Sequence, residues 1–191
     1  MAENQPAGSL SEAQYLAIER AAESKSEFYD GEMFAMAGGS RRHSLISSNL
    51  IRELGTRLKG RPCIVFNSDL RVKVEATGLF TYPDASVVCG PVYSVPGTDD
   101  TLINPVLLVE VLSDSTEGYD RGKKSEHYRQ IPSLTEYLLV SQKEPHLELF
   151  TRQKSEWVLR EVSGLEATIE LPVLKITLAL SEIYANVSLV S

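Results

Sequence analysis

A chain of 191 residues, 42% hydrophobic and 24% charged, has the size and make-up of one soluble globular domain that can bury a core without staples. Its 19 Lys and Arg against 26 Asp and Glu leave a formal net charge of −7, which counts against nucleic-acid binding through bulk charge. No apolar run approaches a membrane span and the N-terminus lacks a signal-peptide core, so no membrane partner is expected and the cytoplasm is the expected compartment.

Residues 1–10 are polar with Pro6 and Gly8 and are expected to be a loose terminus, leaving 11–191 as a single domain. Ser11 suits the cap of a short helix carrying Tyr15, Leu16 and Ile18. Ser26 to Met36 predicts a hairpin, because Asp30-Gly31 fits a type I′ turn. From Arg41 to about Lys59, the positions Leu45, Ile46, Leu50, Ile51, Leu54 and Leu58 have helical spacing, with Ser40 before and Gly60 after. His43 lies at the inward edge of that face. It is either a hydrogen-bonded helix-end residue or a group that approaches a substrate phosphate or a site water. Glu53 is expected on the solvated side. Cys63–Phe66 and Leu70–Val74 predict two strands, or one bent strand, around Asn67-Ser68-Asp69. Asp69 reads as an Asx-turn residue or as a metal-directed carboxylate. Cys63 and Cys89 both fall in predicted strands and are expected to be buried thiols rather than a disulfide.

The stretch from Tyr82 to Lys124 concentrates the chemistry. Val106 to Leu112 is apolar except at Glu110, the pattern of a strand buried on both faces. A carboxylate there must be paired, hydrogen-bonded or metal-bound. Asp84 poses the same question at the head of the Val-rich segment 85–89. If the two strands are neighbours, both carboxylates converge on one hard cation with Lys124 beside it. Otherwise Asp84 is a turn residue and Glu110 a partnered buried acid. Between them Gly90 to Asn104 forms a long connection in which Asp99-Asp100 reads as solvated. A helix is predicted from about Tyr119 to Gln130, stopped by Pro132, followed by a buried strand at 136–140. A hairpin at 146–162, short strands at 168–178 and a helical turn at 181–184 complete an α/β pattern.

Four ordered blocks carry a resemblance. Tyr82-Pro83-Asp84, Val109-Glu110-Val111-Leu112-Ser113, Tyr119-Asp120-Arg121-Gly122-x-Lys124 and Ile131-Pro132-Ser133-Leu134-x-Glu136-Tyr137 are similar to the Uma2 family. That family comprises restriction-endonuclease-like proteins of the PD-(D/E)XK nuclease superfamily, and the likeness runs from the Glu27–Gly31 segment to Leu180–Tyr184. It implies a restriction endonuclease-like core, a mixed β-sheet flanked by helices, with an N-terminal helix and hairpin and additional C-terminal strands. It implies a metal-dependent endonuclease acting on DNA, with Asp84 and Glu110 holding Mg²⁺ or Mn²⁺ and a carbonyl of Val111 or Leu112 as a further ligand. It also implies a histidine at position 43. Where the superfamily pattern places a strand lysine, this chain has Leu112, which shares a strand face with Glu110. The resemblance suggests that the lysine has moved to the following helix, where Lys124 rather than Lys123 matches the family spacing and shares a face with Asp120 and Tyr128. Asp120 reads as a helix cap, and Ser113 and Ser115 as phosphate contacts or a helix-entry turn. A homodimer is expected, since cutting two strands is simplest with two sites. A nuclease-fold protein that binds nucleic acid or a partner without cutting is the alternative, and a hydrolase of another phosphate ester a third reading.

Overall fold

The computed structural model describes residues 9–188. Residues 1–8 of the expected loose terminus lie outside the described residues, while the Leu10 N–H donates to the Gly31 carbonyl at 2.9 Å. Helix α1 (Glu12–Ala21) starts at Ser11, whose hydroxyl and backbone exchange hydrogen bonds with Gln14 in a capping box. Strands β1 (Ser26–Tyr29) and β2 (Glu32–Ala35) form the predicted hairpin. Its turn has φ of 50° at Asp30 and 82° at Gly31, the two left-handed residues that a type I′ turn needs. A Cβ at Gly31 would also meet Ser9 Oγ at 1.7 Å, so glycine is required there twice over.

Helix α2 (Arg41–Leu58) begins at Ser40, which accepts the His43 N–H. The chain then runs through β3 (Cys63–Asn67), β4 (Arg71–Val74), β5 (Leu79–Thr81), β6 (Ala85–Cys89), β7 (Thr101–Leu102) and β8 (Leu107–Val111). The predicted helix after β8 is a continuous helical segment, α3 (Glu117–Tyr119), a π-helical turn (Asp120–Lys124) and α4 (Ser125–Tyr128). Strands β9 (Glu136–Val140), β10 (His146–Gln153), β11 (Glu156–Ser163), β12 (Thr168–Leu171) and β13 (Ile176–Ala179) and helix α5 (Leu180–Ile183) follow.

A six-stranded mixed sheet in the order β11-β10-β9-β8-β6-β3 forms the centre. Within it β8 and β9 are parallel, and the helical segment supplies the crossover that parallel neighbours require. One face of the sheet, with Val87, Val109 and Leu138, packs against Ile46, Leu50, Leu54 and Leu58 of α2 and against the β12–β13 hairpin and α5. The other face, with Val88, Leu108 and Leu139, packs against Tyr128, Ile131 and Leu134 and a second sheet ordered β2-β1-β5-β4-β7. Alternation along β8 therefore assigns Val109 to one core and Leu108 to the other, which is why the run is apolar throughout. The mixed sheet flanked by helices agrees with the expected architecture.

One open expectation is resolved and two change. Residues 63–74 are two strands in different sheets, with the Asn67–Leu70 turn carrying the chain between them. Cys63 and Cys89 are not separate thiols. Antiparallel pairing of β3 with β6 sets them opposite each other, Cα to Cα 4.0 Å, and they form a disulfide. Their separation of 26 residues in sequence conceals that adjacency. Glu53 is buried rather than solvated, and ion pairs to Arg52 at 3.3 Å and Arg57 at 3.6 Å compensate its charge.

Candidate active site

Pairing of β6 with β8 ends at Ala85 opposite Val109, and one further step along the register sets Asp84 opposite Glu110. With no strand backbone left to receive it, the Val111 N–H donates instead to Asp84 Oδ2 at 2.7 Å. His43 Nε2 lies 3.1 Å from the same oxygen, and Ser47 Oγ reaches Oδ1 at 3.4 Å. Both come from the first turns of α2, so this helix positions Asp84 from the side. The Tyr82 hydroxyl, two residues earlier, donates to Glu19 Oε1 at 2.7 Å and ties the Tyr-Pro-Asp turn to α1.

Glu110 lies on the opposite sheet face from Val109, in a buried ionic cluster. Tyr128 donates its hydroxyl to Glu110 Oε1 at 2.7 Å, and Lys124 Nζ is 3.1 Å from that oxygen. The same ammonium is 2.9 Å from Glu27 Oε1 and 3.4 Å from Asp120 Oδ1. Thr81 also donates a hydroxyl to Glu27. The π-helical turn brings Asp120 and Lys124 into this cluster, and its Asp120 carbonyl accepts the Tyr137 hydroxyl at 3.1 Å.

Burial pushes the Glu110 carboxyl up to about 8; Lys124 opposes the shift, while the charges of Asp120 and Asp84 add to it. Burial raises Asp120 as well, again against Lys124. Burial alone would lower Lys124, but Glu110, Glu27 and Asp120 outweigh it and hold the ammonium well above its ordinary value. The hydrogen bond to Asp84 raises His43 against its partial burial. The arrangement is one lysine that stays charged beside Glu27, Glu110 and Asp120, with burial opposing ionisation of the last two.

Asp84, Glu110, Lys124 and His43 all line one open cleft of about 2850 Å³. Glu27 lines it too, a member to which the sequence reading assigned no role. The available signal was hairpin alternation, since Phe28 faces a core cluster and Glu27 must face the other way. Of the two lysines, Lys124 enters the cluster, whereas Lys123 is exposed and pairs with Glu126 at 3.1 Å. Leu112 is buried on the Glu110 side, and its carbonyl is already engaged by Gln142 Nε2 at 2.7 Å. Ser113 bonds Ser115 and Thr116 within the turn that enters α3. Asp69 pairs with Lys25 at 2.7 Å and accepts from Asn67, on an exposed turn. Asp100 is held by Arg20 and Arg71, each at 2.7 Å, so it is not free in solvent.

The residues present fit a hard divalent cation. Among the described residues Asp84 Oδ1 has only the long Ser47 contact, both strong contacts of Glu110 fall on Oε1, and the buried Asp120 Oδ1 has only the 3.4 Å ion pair to Lys124. Mg²⁺ commonly takes one or two carboxylates and completes its shell with water. A tighter group of possible ligand atoms, all within 4.8 Å of one another, lies elsewhere: His146, Glu148 and Glu161 on β10 and β11. There Arg121 already pairs with Glu148.

A central mixed sheet with a carboxylate- and lysine-bearing cleft where two adjacent strands end defines a nuclease-like α/β protein. The fold is shared with the crystal structure of "a putative nuclease belonging to DUF820" from Anabaena variabilis ATCC 29413, at a TM-score of 0.71 and 18% identity, covering 91% of this chain and 96% of that one. The chain belongs to the Uma2 family, described as "Putative restriction endonuclease", which it matches over residues 12–181. Two relatives come from Synechocystis sp. (strain ATCC 27184 / PCC 6803 / Kazusa). "Uncharacterized protein slr1290" is 35% identical over 96% of this chain and 95% of its own length. "Uncharacterized protein sll1609" is 36% identical over 87% and 95%, respectively. Among the described residues no helix is long and apolar enough to cross a membrane.

Proposed function

We propose that this protein is a metal-dependent endonuclease that hydrolyses phosphodiester bonds in DNA. The observation that carries the reading is the buried Lys124 ammonium held by Glu110, Glu27 and Asp120 beside Asp84, at the edge of an open cleft. In it Asp84 and Glu110 hold Mg²⁺ or Mn²⁺. A divalent ion held by these carboxylates would polarise the scissile phosphate and lower the pKa of water at the site. Lys124 orients the attacking water and offsets negative charge growing on the phosphate. His43 keeps Asp84 in place and offers a proton donor on the same side, while the Val111 N–H orients the carboxylate. Tyr128 fixes Glu110 from behind.

The reading includes one domain over residues 11–191, a homodimer and a cytoplasmic setting. The Cys63–Cys89 bond opposes that setting, because cytosolic thiols are generally kept reduced. A second reading, a nuclease-fold protein that binds nucleic acid or a partner without cutting, is favoured by one observation. Glu110 Oε1 already serves Tyr128 and Lys124, and the strand position two residues on is Leu112.

The test is nicking of supercoiled plasmid with Mg²⁺ or Mn²⁺ against EDTA, with Glu110→Ala purified alongside. Metal-dependent cutting that vanishes in the variant supports the endonuclease. Cutting that persists removes Glu110 from the site, and binding without cutting under any divalent ion selects the second reading.

A further inference from the structure

The β1–β2 hairpin has two faces with different fates. Phe28 and Met33 point to the core, where Phe28 stacks on Tyr15 at 4.7 Å between ring centroids. Register pairs Glu27 with Phe34 and Tyr29 with Glu32, so Glu27, Tyr29 and Phe34 share the other face. Glu27 on that face touches Lys124, which places the two aromatic rings immediately beside the ionic cluster. Both line the cleft, with Tyr29 38% and Phe34 49% exposed. Tyr119, 37% exposed, lines the same cleft with its ring centroid 5.8 Å from Lys124 Nζ.

These three part-exposed rings, with Tyr29 braced edge-on by the His127 ring at 4.6 Å between centroids, form a surface that suits flat apolar partners. The cleft also carries the guanidinium of Arg41, besides Lys25 and Lys123 with their partners Asp69 and Glu126, which suits a phosphate-bearing chain. At a net charge of −7, phosphate neutralisation alone supplies little affinity. Stacking of bases on aromatic side chains is the complementary source, and it is open only to bases that are not already stacked in a duplex. We propose that the cleft face of the β1–β2 hairpin, through Tyr29 and Phe34 with Tyr119, is a stacking surface for unpaired nucleobases, so that the ligand of this site is single-stranded or locally unpaired nucleic acid. The inference rests on the nuclease reading above and specifies its substrate.

Phe34 is outside the core on an edge strand, so its variants are expected to fold. Binding of a labelled single-stranded oligonucleotide and of its duplex would be measured by fluorescence anisotropy, with Ca²⁺ in place of Mg²⁺. The single strand should bind tighter. Phe34→Leu, which keeps apolar bulk but no ring, should weaken it by about tenfold. Phe34→Trp should retain binding, with its emission quenched when the single strand is added. Equal affinity for duplex, or a Phe34→Leu protein as good as the parent, overturns the stacking surface. So does a Phe34→Leu change that alters only self-association in sedimentation, which would mark a protein-docking face. Plasmid nicking lost in Glu110→Ala but without single-strand preference sinks this inference alone. Absence of both cutting and binding sinks the nuclease reading with it.

Discussion

Lys124 is one ammonium among three carboxylates, so deleting its charge leaves buried acids with nothing to offset them. Lys124→Met is expected to lose about 3–5 kcal/mol of unfolding free energy in urea titrations, although methionine fills similar space. Glu27→Gln should cost much less, because an amide oxygen can still accept from Lys124 and Thr81 while one excess charge disappears. A Lys124→Met protein as stable as the parent would mean that the cluster is not assembled as described. Glu136 gives a separate pH signature. It is fully buried, accepts the Val173 N–H at 2.9 Å, and burial pushes its carboxyl from 4.5 up to about 7 against the Val173 and Leu174 N–H groups. Because the folded state holds this proton more tightly, its stabilising contribution is full below the ordinary pKa and is lost as pH rises through about 7. Glu136→Gln should therefore gain on the parent by about 2 kcal/mol between roughly pH 5 and pH 8. A stability difference that is flat with pH would refute the shift.

Helical and strand elements reach the cleft by different devices. The π-helical turn leaves the Asp120 carbonyl to the Tyr137 hydroxyl, so Tyr137→Phe should cost about 1–2 kcal/mol and speed amide exchange selectively over 120–124. Unchanged exchange there would show that the turn does not depend on that bond. Edge strand β3 is bound to β6 by Cys63–Cys89. Closing a loop of that separation is worth about 3 kcal/mol in the chain-entropy account, so dithiothreitol should lower the urea midpoint accordingly. Unreduced, denatured protein should titrate no thiol, and two titrating thiols would show that the bond does not form. The hairpin and α2 were legible as elements because their signals are local: Asp30-Gly31 demands one turn type, and the spacing of Ile46, Leu50 and Leu54 demands one period. The burial of Glu53 was not, since it depends on arginines whose orientation only the folded helix sets.

The two main cores pack on opposite faces of one central sheet, so we propose that the described residues unfold as one unit. Unfolding followed by far-UV circular dichroism and by fluorescence of the single Trp157 should coincide. The sequence by itself determined the strand around Glu110, the Pro-Asp turn before β6, the hairpin, and the ordered blocks that resemble Uma2. These follow from runs and spacings that act over a few residues, and Asp84, Glu110, Lys124 and His43 do line one cleft. Only the tertiary structure decided that Glu27 joins Lys124, that Cys63 meets Cys89, and that Tyr29 and Phe34 stay exposed beside the acids. Each depends on register and packing between segments far apart in the chain, and no local pattern carries the distance between them.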